Sequence, residues 1–213
     1  NIEFTPSGTP DGLTARLYLA PINGSKSADK ASSGAQSGAV AEGSGYDVTI
    51  EIGDALSGIA GLNLYGGISA TEQDAGGNTV SGDKDEQTLG ATYAFGGFTI
   101  GYQWSEEDLG LSSGISKYTN DAYGITFSVN DDLSIGYNNY ESEQTTIAGA
   151  STTAEADSVQ IAYTMGGASI RLAEASVSNA KYQTGSTYDR DATTLSVSLC
   201  LLYTSPSPRD ATL

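Results

Sequence analysis

The feature that most constrains this chain is a strict alternation of apolar and polar residues along short segments. In FGGFTIGYQW, residues 95–104, a glycine pair precedes a stretch in which every second residue is apolar. The apolar positions are Phe98, Ile100, Tyr102 and Trp104, and the intervening ones are Thr99, Gly101, Gln103 and Ser105. Because side chains of a strand alternate between its two faces, the segment predicts a strand with one apolar face. That face meets either a protein core or membrane lipid.

About eleven segments of this kind follow one another, separated by turn signals, and none shows a sustained helical period. We predict strands at 1–5, 13–20, 46–53, 62–70, 88–95, 98–105, 123–129, 133–140, 158–165, 168–175 and 193–199. The chain is therefore expected to be all-β, with sequential antiparallel hairpins.

The connections between these segments alternate strictly between short and long. The short ones are PSGTPD, DALSGIAG, GG, NDD and GG, and the long ones fall at 21–45, 71–87, 106–122, 141–157 and 177–192. In an up-and-down barrel every second connection lies at the same end. Short turns at one end and long loops at the other are typical of outer-membrane barrels, with the turns periplasmic and the loops extracellular. The alternation predicts a transmembrane β-barrel over residues 1–199.

The face opposite the apolar one carries small polar residues and a few charges. Arg16 and Arg171 are the cations inside the predicted strands, and both have the polar phase, whereas every lysine before the tail falls in a long connection. A lipid-facing arginine near mid-membrane would cost about 2–4 kcal/mol, so the inward phase matters. The predicted pore-lining residues are Glu3, Arg16, Asp47, Glu51, Gln103, Asn138, Gln160 and Arg171. The alternative is that these charges only satisfy one another.

Aromatic residues recur at the ends of the predicted strands. Phe95, Phe98, Tyr102, Trp104, Tyr123, Phe127 and Tyr163 are the predicted membrane-interface aromatics. Taken singly, each could equally be an ordinary core aromatic.

One residue breaks the alternation of apolar and polar residues. Glu174 shares the phase of Ile170 and Leu172, so either the strand has left the bilayer by then or a bulge reverses its phase.

Composition excludes several classes of function. The chain has no histidine, which removes Ser-His-Asp and Cys-His catalysis and zinc sites that need imidazole, so we expect no enzyme activity. A net charge of −17 argues against nucleic acid as a partner. No apolar run is long enough for a transmembrane helix.

The last stretch, CLLYTSPSPRDATL at 200–213, breaks the alternation and contains the single cysteine, Cys200. Cys200 to Asp210 resembles the translation of a sequencing adapter. We interpret 200–213 as an artefact of a truncated read and infer no thiol chemistry from it. The alternative is a genuine proline-rich tail.

The chain resembles the Gram-negative porin family, in particular the general porins of alphaproteobacteria. The resemblance is carried by LGATYAFGGFTIGYQW, YGITFSVNDDLSIGYNNY, VQIAYTMGGASIRL and DRDATTLSVSL, and it extends over residues 1–199. It implies about sixteen strands, of which these eleven would be the last, in a homotrimer with one pore per subunit. The family's constriction loop, which follows its fifth strand, would then precede Asn1.

The resemblance further implies passive diffusion of small hydrophilic solutes and ions across the bacterial outer membrane, in contact with its lipid and lipopolysaccharide. No cofactor is expected, although some relatives bind calcium in acidic loops, and GDKDE (82–86) or SEEDLG (105–110) could do so. We expect both segments to be solvated acidic loops instead, because neither has the regular ligand spacing of a calcium loop. Two other functions stay open: a non-conducting barrel serving as an adhesin or anchor, and a secreted soluble β-domain that binds glycans.

Overall fold

The computed structural model describes residues 2–21, 42–73 and 80–199. Within these ranges eleven strands form one sheet, and each strand pairs antiparallel with its neighbours in chain order. The strands are β1 (Ile2–Phe4), β2 (Leu13–Ala20), β3 (Glu42–Ile52), β4 (Leu62–Gln73), β5 (Lys84–Phe95), β6 (Phe98–Asp108), β7 (Ile115–Ser128), β8 (Leu133–Thr146), β9 (Ser151–Met165), β10 (Ala168–Ser178) and β11 (Arg190–Leu199). The predicted all-β, up-and-down architecture is confirmed. In the described ranges β1 and β11 do not pair with each other, so the sheet is open.

The tight turn between β5 and β6 requires both of its glycines, for different reasons. Gly96 has φ +56°, which L residues with a Cβ rarely adopt, and a type II′ hairpin turn places glycine at this position. A Cβ on Gly97 would lie 2.9 Å from the carbonyl oxygen of Ser128 in the next hairpin. The Gly97 carbonyl accepts a hydrogen bond from the Ser128 amide at 2.8 Å. The glycine pair therefore joins neighbouring hairpins closely at this end of the sheet.

At the end opposite the short turns, the strands extend beyond the apolar residues from which they were predicted. β6 continues to Asp108 and β7 begins at Ile115, so only 109–114 connects them. Likewise only 147–150 connects β8 to β9. The predicted long loops at 106–122 and 141–157 are wrong, because polar residues continue the same cross-strand pairing. The 21–45 loop lies mostly outside the described residues, as does the 200–213 tail.

The same extension corrects the prediction about lysine. Lys84 begins β5 and pairs with Thr71, and Lys117 lies in β7 opposite Asp108. These two lysines therefore belong to strands, whereas Lys181 lies in the connection between β10 and β11.

The structure decides between the two explanations for the phase of Glu174. Strand β10 pairs without a register shift from Ala168 onward. No bulge reverses its phase.

The two faces of the sheet differ in chemistry, and the apolar one is uncovered. Ile100, Tyr102 and Ile135 expose 40%, 48% and 41% of their surface. In the part of the chain that the structure describes, Leu109 and Tyr118 are the buried hydrophobic residues. There is no second described sheet or long helix against which the apolar face could pack. The architecture is a single layer, and its apolar residues form no protein core.

Helical structure is minor and lies in connections. One turn, α1 (Asp54–Ser57), joins β3 to β4 and ends at Gly58 with φ 71°. Two single-turn 3-10 helices, Ala180–Tyr182 and Ser186–Tyr188, lie between β10 and β11. No helix among the described residues is long and apolar enough to cross a membrane.

Candidate functional site

The candidate functional site is the polar face of the sheet. Residues directly opposite each other in neighbouring strands point to the same side. The pairing joins Glu3 to Tyr18 and Tyr18 to Asp47. It also places Arg16 opposite Thr49, within the same alternating set.

Pairing across the remaining strands extends this face to every predicted pore-lining residue. Those residues are Glu3, Arg16, Asp47, Glu51, Gln103, Asn138, Gln160 and Arg171. All eight residues lie on this one face. That they line a pore stays a prediction.

Arg16 and Arg171 are not brought together. Arg16 lies in β2 and Arg171 in β10, near opposite edges of the open sheet. Arg171 is exposed, and its cross-strand neighbours are Ala162 and Ser196. Small neighbours leave the space beside this guanidinium open to the polar side.

Between the two arginines, the middle of the polar face is neutral and recessed. An open recess of about 520 Å³ is lined by residues that include Tyr65, Gln103, Asn138, Tyr140 and Gln160. The Tyr65 hydroxyl donates to Gln103 Oε1 at 3.2 Å, and Gln160 Nε2 donates to Asn138 Oδ1 at 3.0 Å. The recess therefore presents amide and hydroxyl groups to a solute.

Glycines provide the room for this recess. Gly101 and Gly124 face each other across β6 and β7 and belong to the polar-face set, as do Gly90 and Gly136. A Cβ on Gly90 would lie 2.3 Å from the ring of Tyr65. The missing side chain at Gly90 thus lets the tyrosine ring lie flat along the wall.

A buried ionic cluster lies on the same face beyond the recess, toward the end with the longer strands. Lys84 Nζ is 2.7 Å from Glu86 Oε1 and 2.7 Å from Glu107 Oε1, and all three side chains are buried. Two carboxylates and one ammonium leave a net negative charge. The prediction missed this cluster because it placed Lys84 in a loop, although Lys84 and Glu86 continue the polar phase of β5.

Next to this cluster, hydrogen bonds connect β6, β7 and β8. Asn120 Nδ2 donates to Ser105 Oγ at 3.2 Å, and its Oδ1 accepts from Ser142 Oγ at 2.6 Å and from the Tyr140 hydroxyl at 2.8 Å. Gln144 Nε2 donates to the Tyr118 hydroxyl at 3.0 Å. Buried polar groups linked in this way give a fixed surface on the polar face.

The connection between β10 and β11, residues 179–189, folds onto that surface; we call it the inward segment. The Tyr182 and Ser142 hydroxyl oxygens are 2.7 Å apart. Because the Ser142 hydroxyl donates to Asn120, the Tyr182 hydroxyl donates to Ser142. Its ring lies 5.4 Å from that of Tyr118. Burial raises the pKa of Tyr182 above its ordinary value, which already lies well above neutral pH, so the hydroxyl keeps the proton that it donates.

The backbone of the inward segment is unusual. Asn179, Lys181 and Tyr182 have φ values of 51°, 63° and 57°. Such values are uncommon for residues with a Cβ and persist when the surroundings hold them. Asn179 Nδ2 donates to the carbonyl of Thr153 at 2.9 Å, which ties the segment to β9. No feature of the sequence predicts this fold-back.

All seven predicted interface aromatics lie on the apolar face. Phe95, Phe98 and Phe127 stack beside the short turns, with ring centroids 5.6 Å and 4.4 Å apart. Tyr102 and Tyr123 face each other nearer the other end. The apolar stretch of β6 runs from Phe98 to Trp104 and spans about 20 Å along the strand. Contact with membrane lipid stays a prediction.

The two segments considered for calcium form strand structure rather than loops. Residues 84–86 of GDKDE belong to β5, and residues 105–108 of SEEDLG belong to β6. The two stretches pair with each other. Among the described residues, no three acidic side chains converge on one point as a metal site would require. That the chain uses no cofactor stays a prediction, and calcium binding at these two segments stays its alternative.

Comparison with known proteins identifies the fold. No protein-family model matches the chain, and no curated protein matches its sequence. Among solved structures, OmpT (in-vitro folded), an outer membrane protein of Vibrio cholerae, is similar with a TM-score of 0.56 and 13% identity. The match covers 90% of this chain and 58% of that one. The chain thus has the fold of an outer-membrane β-barrel and spans 58% of the length of this neighbour. The finer resemblance to alphaproteobacterial general porins stays a prediction.

Proposed function

We propose that the protein is a passive diffusion channel for small hydrophilic solutes and ions in the bacterial outer membrane. One observation carries the proposal: a single-layer sheet exposes an apolar face bordered by aromatics and gathers its small polar residues on the opposite face. An apolar face of this extent is stable next to hydrocarbon and would promote aggregation in water. The exposed face weighs against a soluble glycan-binding domain.

In this proposal selection is by size and charge, without catalysis. Arg16 and Arg171 stand on the polar face with Glu3, Asp47 and Glu51, so a solute passes groups of both signs. Opposed fixed charges in a narrow, low-dielectric passage discriminate by charge and dipole. The neutral recess between them offers hydrogen bonds that replace part of a solute's hydration. Assembly as a homotrimer, contact with lipopolysaccharide and extracellular placement of the longer connections belong to the same proposal.

A non-conducting barrel is the second candidate, and the inward segment favours it. Tyr182 of this segment rests on the polar face, and in a closed barrel the segment would reduce the open cross-section. If the remaining space were filled, the protein would serve as an anchor or adhesin. Conductance distinguishes the two functions.

The test is single-channel recording in a planar bilayer with the protein expressed from its full-length gene and refolded in detergent. We expect stepwise currents, and Arg16→Glu should shift the permeability ratio toward cations. Glu174→Gln, which changes a charge on the other face, is the matched control and should leave the ratio unchanged. Absence of stepwise current from folded protein would overturn the channel and leave the non-conducting barrel.

A further inference from the structure

The apolar face changes character sharply beyond its aromatic residues. There the outward positions of the extended strands carry carboxylates, which we call the acidic belt: Asp85, Glu106, Asp108, Asp121, Glu141, Glu143, Glu155, Asp157, Glu174 and Asp191. Among the described strand residues of this face, Lys117 is the one cation, and it pairs with Glu106 at 2.8 Å. A large share of the chain's negative charge is therefore concentrated on one side of the sheet.

Within the belt, three carboxylates occupy directly opposed positions. Asp121 in β7 pairs with Glu141 in β8, and Glu141 pairs with Glu155 in β9. Directly opposed residues have Cβ atoms about 4.5–5.5 Å apart, and like charges in such positions destabilise a sheet. A bound cation would reverse this effect. Charge alone, however, does not distinguish a site from a diffuse ion atmosphere.

Asn139 supplies an independent sign of a specific site. It lies beside this row, one pair nearer the aromatics, and is 2% exposed. Its Nδ2 donates to Glu155 Oε1 and Asp157 Oδ1, each at 3.0 Å, so the amide nitrogen faces β9. The amide oxygen consequently points away from these two β9 carboxylates, and the strand on the other side of Asn139 is β7, where Tyr123 lies directly opposite and Asp121 one pair along. That oxygen is buried and has no hydrogen-bond partner. A buried acceptor without a donor is costly unless something binds it.

The donor set at this point consists of hard oxygens. The Tyr102 hydroxyl donates to Asp121 Oδ1, which fixes that carboxylate. Glu141 is exposed and lies directly opposite. Carboxylate and amide oxygens together with water are the ligands that calcium and magnesium take.

We propose that Asp121, Glu141 and the Asn139 amide oxygen bind a divalent cation, calcium or magnesium, on the outward surface just beyond the aromatic residues. The site is separate from GDKDE and SEEDLG and shares no residue with the polar face. It does not depend on conduction, because it requires only the folded sheet. Its position places the cation at the level where lipid headgroups meet the barrel.

The test uses the full chain folded in detergent and measures its thermal midpoint in EDTA, in CaCl2 or MgCl2, and in NaCl of equal ionic strength. We expect either divalent salt to raise the midpoint by several degrees at millimolar concentration, with little change in NaCl. The double variant Asp121→Asn/Glu141→Gln should be more stable than wild type in EDTA, because the repulsion is gone, and should lose the divalent response. A calcium titration by calorimetry should show affinity weakened about tenfold or more.

The matched control is Asp85→Asn/Asp108→Asn, a directly opposed acidic pair on the same face without a buried amide oxygen beside it. It should keep the full divalent response. An equal response to NaCl, or an equal loss of response in both double variants, would show diffuse screening and overturn the site. A folded Asp121→Asn/Glu141→Gln protein that still binds calcium as wild type does would also overturn it.

Discussion

Replacing Ile100 by arginine tests whether the apolar face is adapted to lipid. Ile100 lies in the middle of the apolar stretch of β6, between Tyr93 and Ile125 on the neighbouring strands, and is 40% exposed. A lipid-facing arginine near the bilayer midplane costs about 2–4 kcal/mol in a transmembrane barrel. Since 1.4 kcal/mol is a factor of ten, the ratio of folded to unfolded protein should fall roughly 30- to 700-fold. The cost should shrink near the ends of the apolar stretch.

The measurement is reversible guanidinium unfolding of the full chain in phospholipid vesicles, followed by the fluorescence of the single tryptophan, Trp104. The matched control is Thr99→Arg, one residue earlier and on the polar face, where its neighbours are Ala94 and Thr126. A change on a wet surface should cost about 0.5 kcal/mol or less. Equal costs for both variants would refute the assignment of the two faces.

Three further outcomes are expected. Lys84→Met leaves two buried carboxylates without their ammonium and should cost about 3–5 kcal/mol in guanidinium unfolding, an effect that a fully solvated cluster would not show. Tyr182→Phe removes the hydroxyl whose hydrogen bond to Ser142 fixes the inward segment. That hydrogen bond is worth about 1 kcal/mol, so protease cleavage in the segment should become about fivefold faster. An unchanged cleavage rate would mean that the hydrogen bond does not fix the segment. Gly61→Ala should lower the thermal midpoint far more than Gly58→Ala. Both glycines have positive φ, but only at Gly61 would a Cβ lie 2.2 Å from the Ala94 carbonyl oxygen. Comparable thermal midpoints for the two variants would contradict this.

The sequence was most informative where apolar alternation and turn residues coincide. At the end with short turns, the boundaries of β5 and β6 at Phe95 and Phe98 agree with the prediction, because the apolar strand stops at a glycine pair. At the other end the strands were cut short. Lys84 and Glu86 keep the alternation, but a strand made of polar residues has the composition of a loop. At these strand ends the apolar residues stop, whereas the backbone hydrogen bonds between neighbouring strands continue.

The arrangement of the polar groups depended on information that no single segment contains. The Lys84–Glu107 ion pair joins β5 to β6, and the contact of Tyr182 with Ser142 spans 40 residues of chain. Such contacts follow from register and from the path of a connection. The phase of Arg16 could be predicted, because it needs only the local period of two. Which groups meet on the polar face required the structure.

The charge distribution gives the extended strand ends a physical meaning. On the polar face Lys84 is enclosed by carboxylates, whereas on the apolar face the carboxylates beyond the aromatics have Lys117 as their one strand cation in the described ranges. The buried carboxylates of the polar face therefore have a cation of the protein between them. The other face relies on ions from solution, which is why we expect its stability to depend on divalent salt.

The most direct test of the account is spin-label accessibility along β6. The single cysteine, Cys200, would be replaced by serine, and one label introduced at each position from 98 to 103 of the full chain in lipid vesicles. We expect labels at 98, 100 and 102 to collide preferentially with oxygen dissolved in lipid, and those at 99, 101 and 103 with a water-soluble nickel complex. Accessibility that shows no period of two, or low access to both reagents at 98, 100 and 102, would mean that the apolar face is covered by protein and would contradict the account.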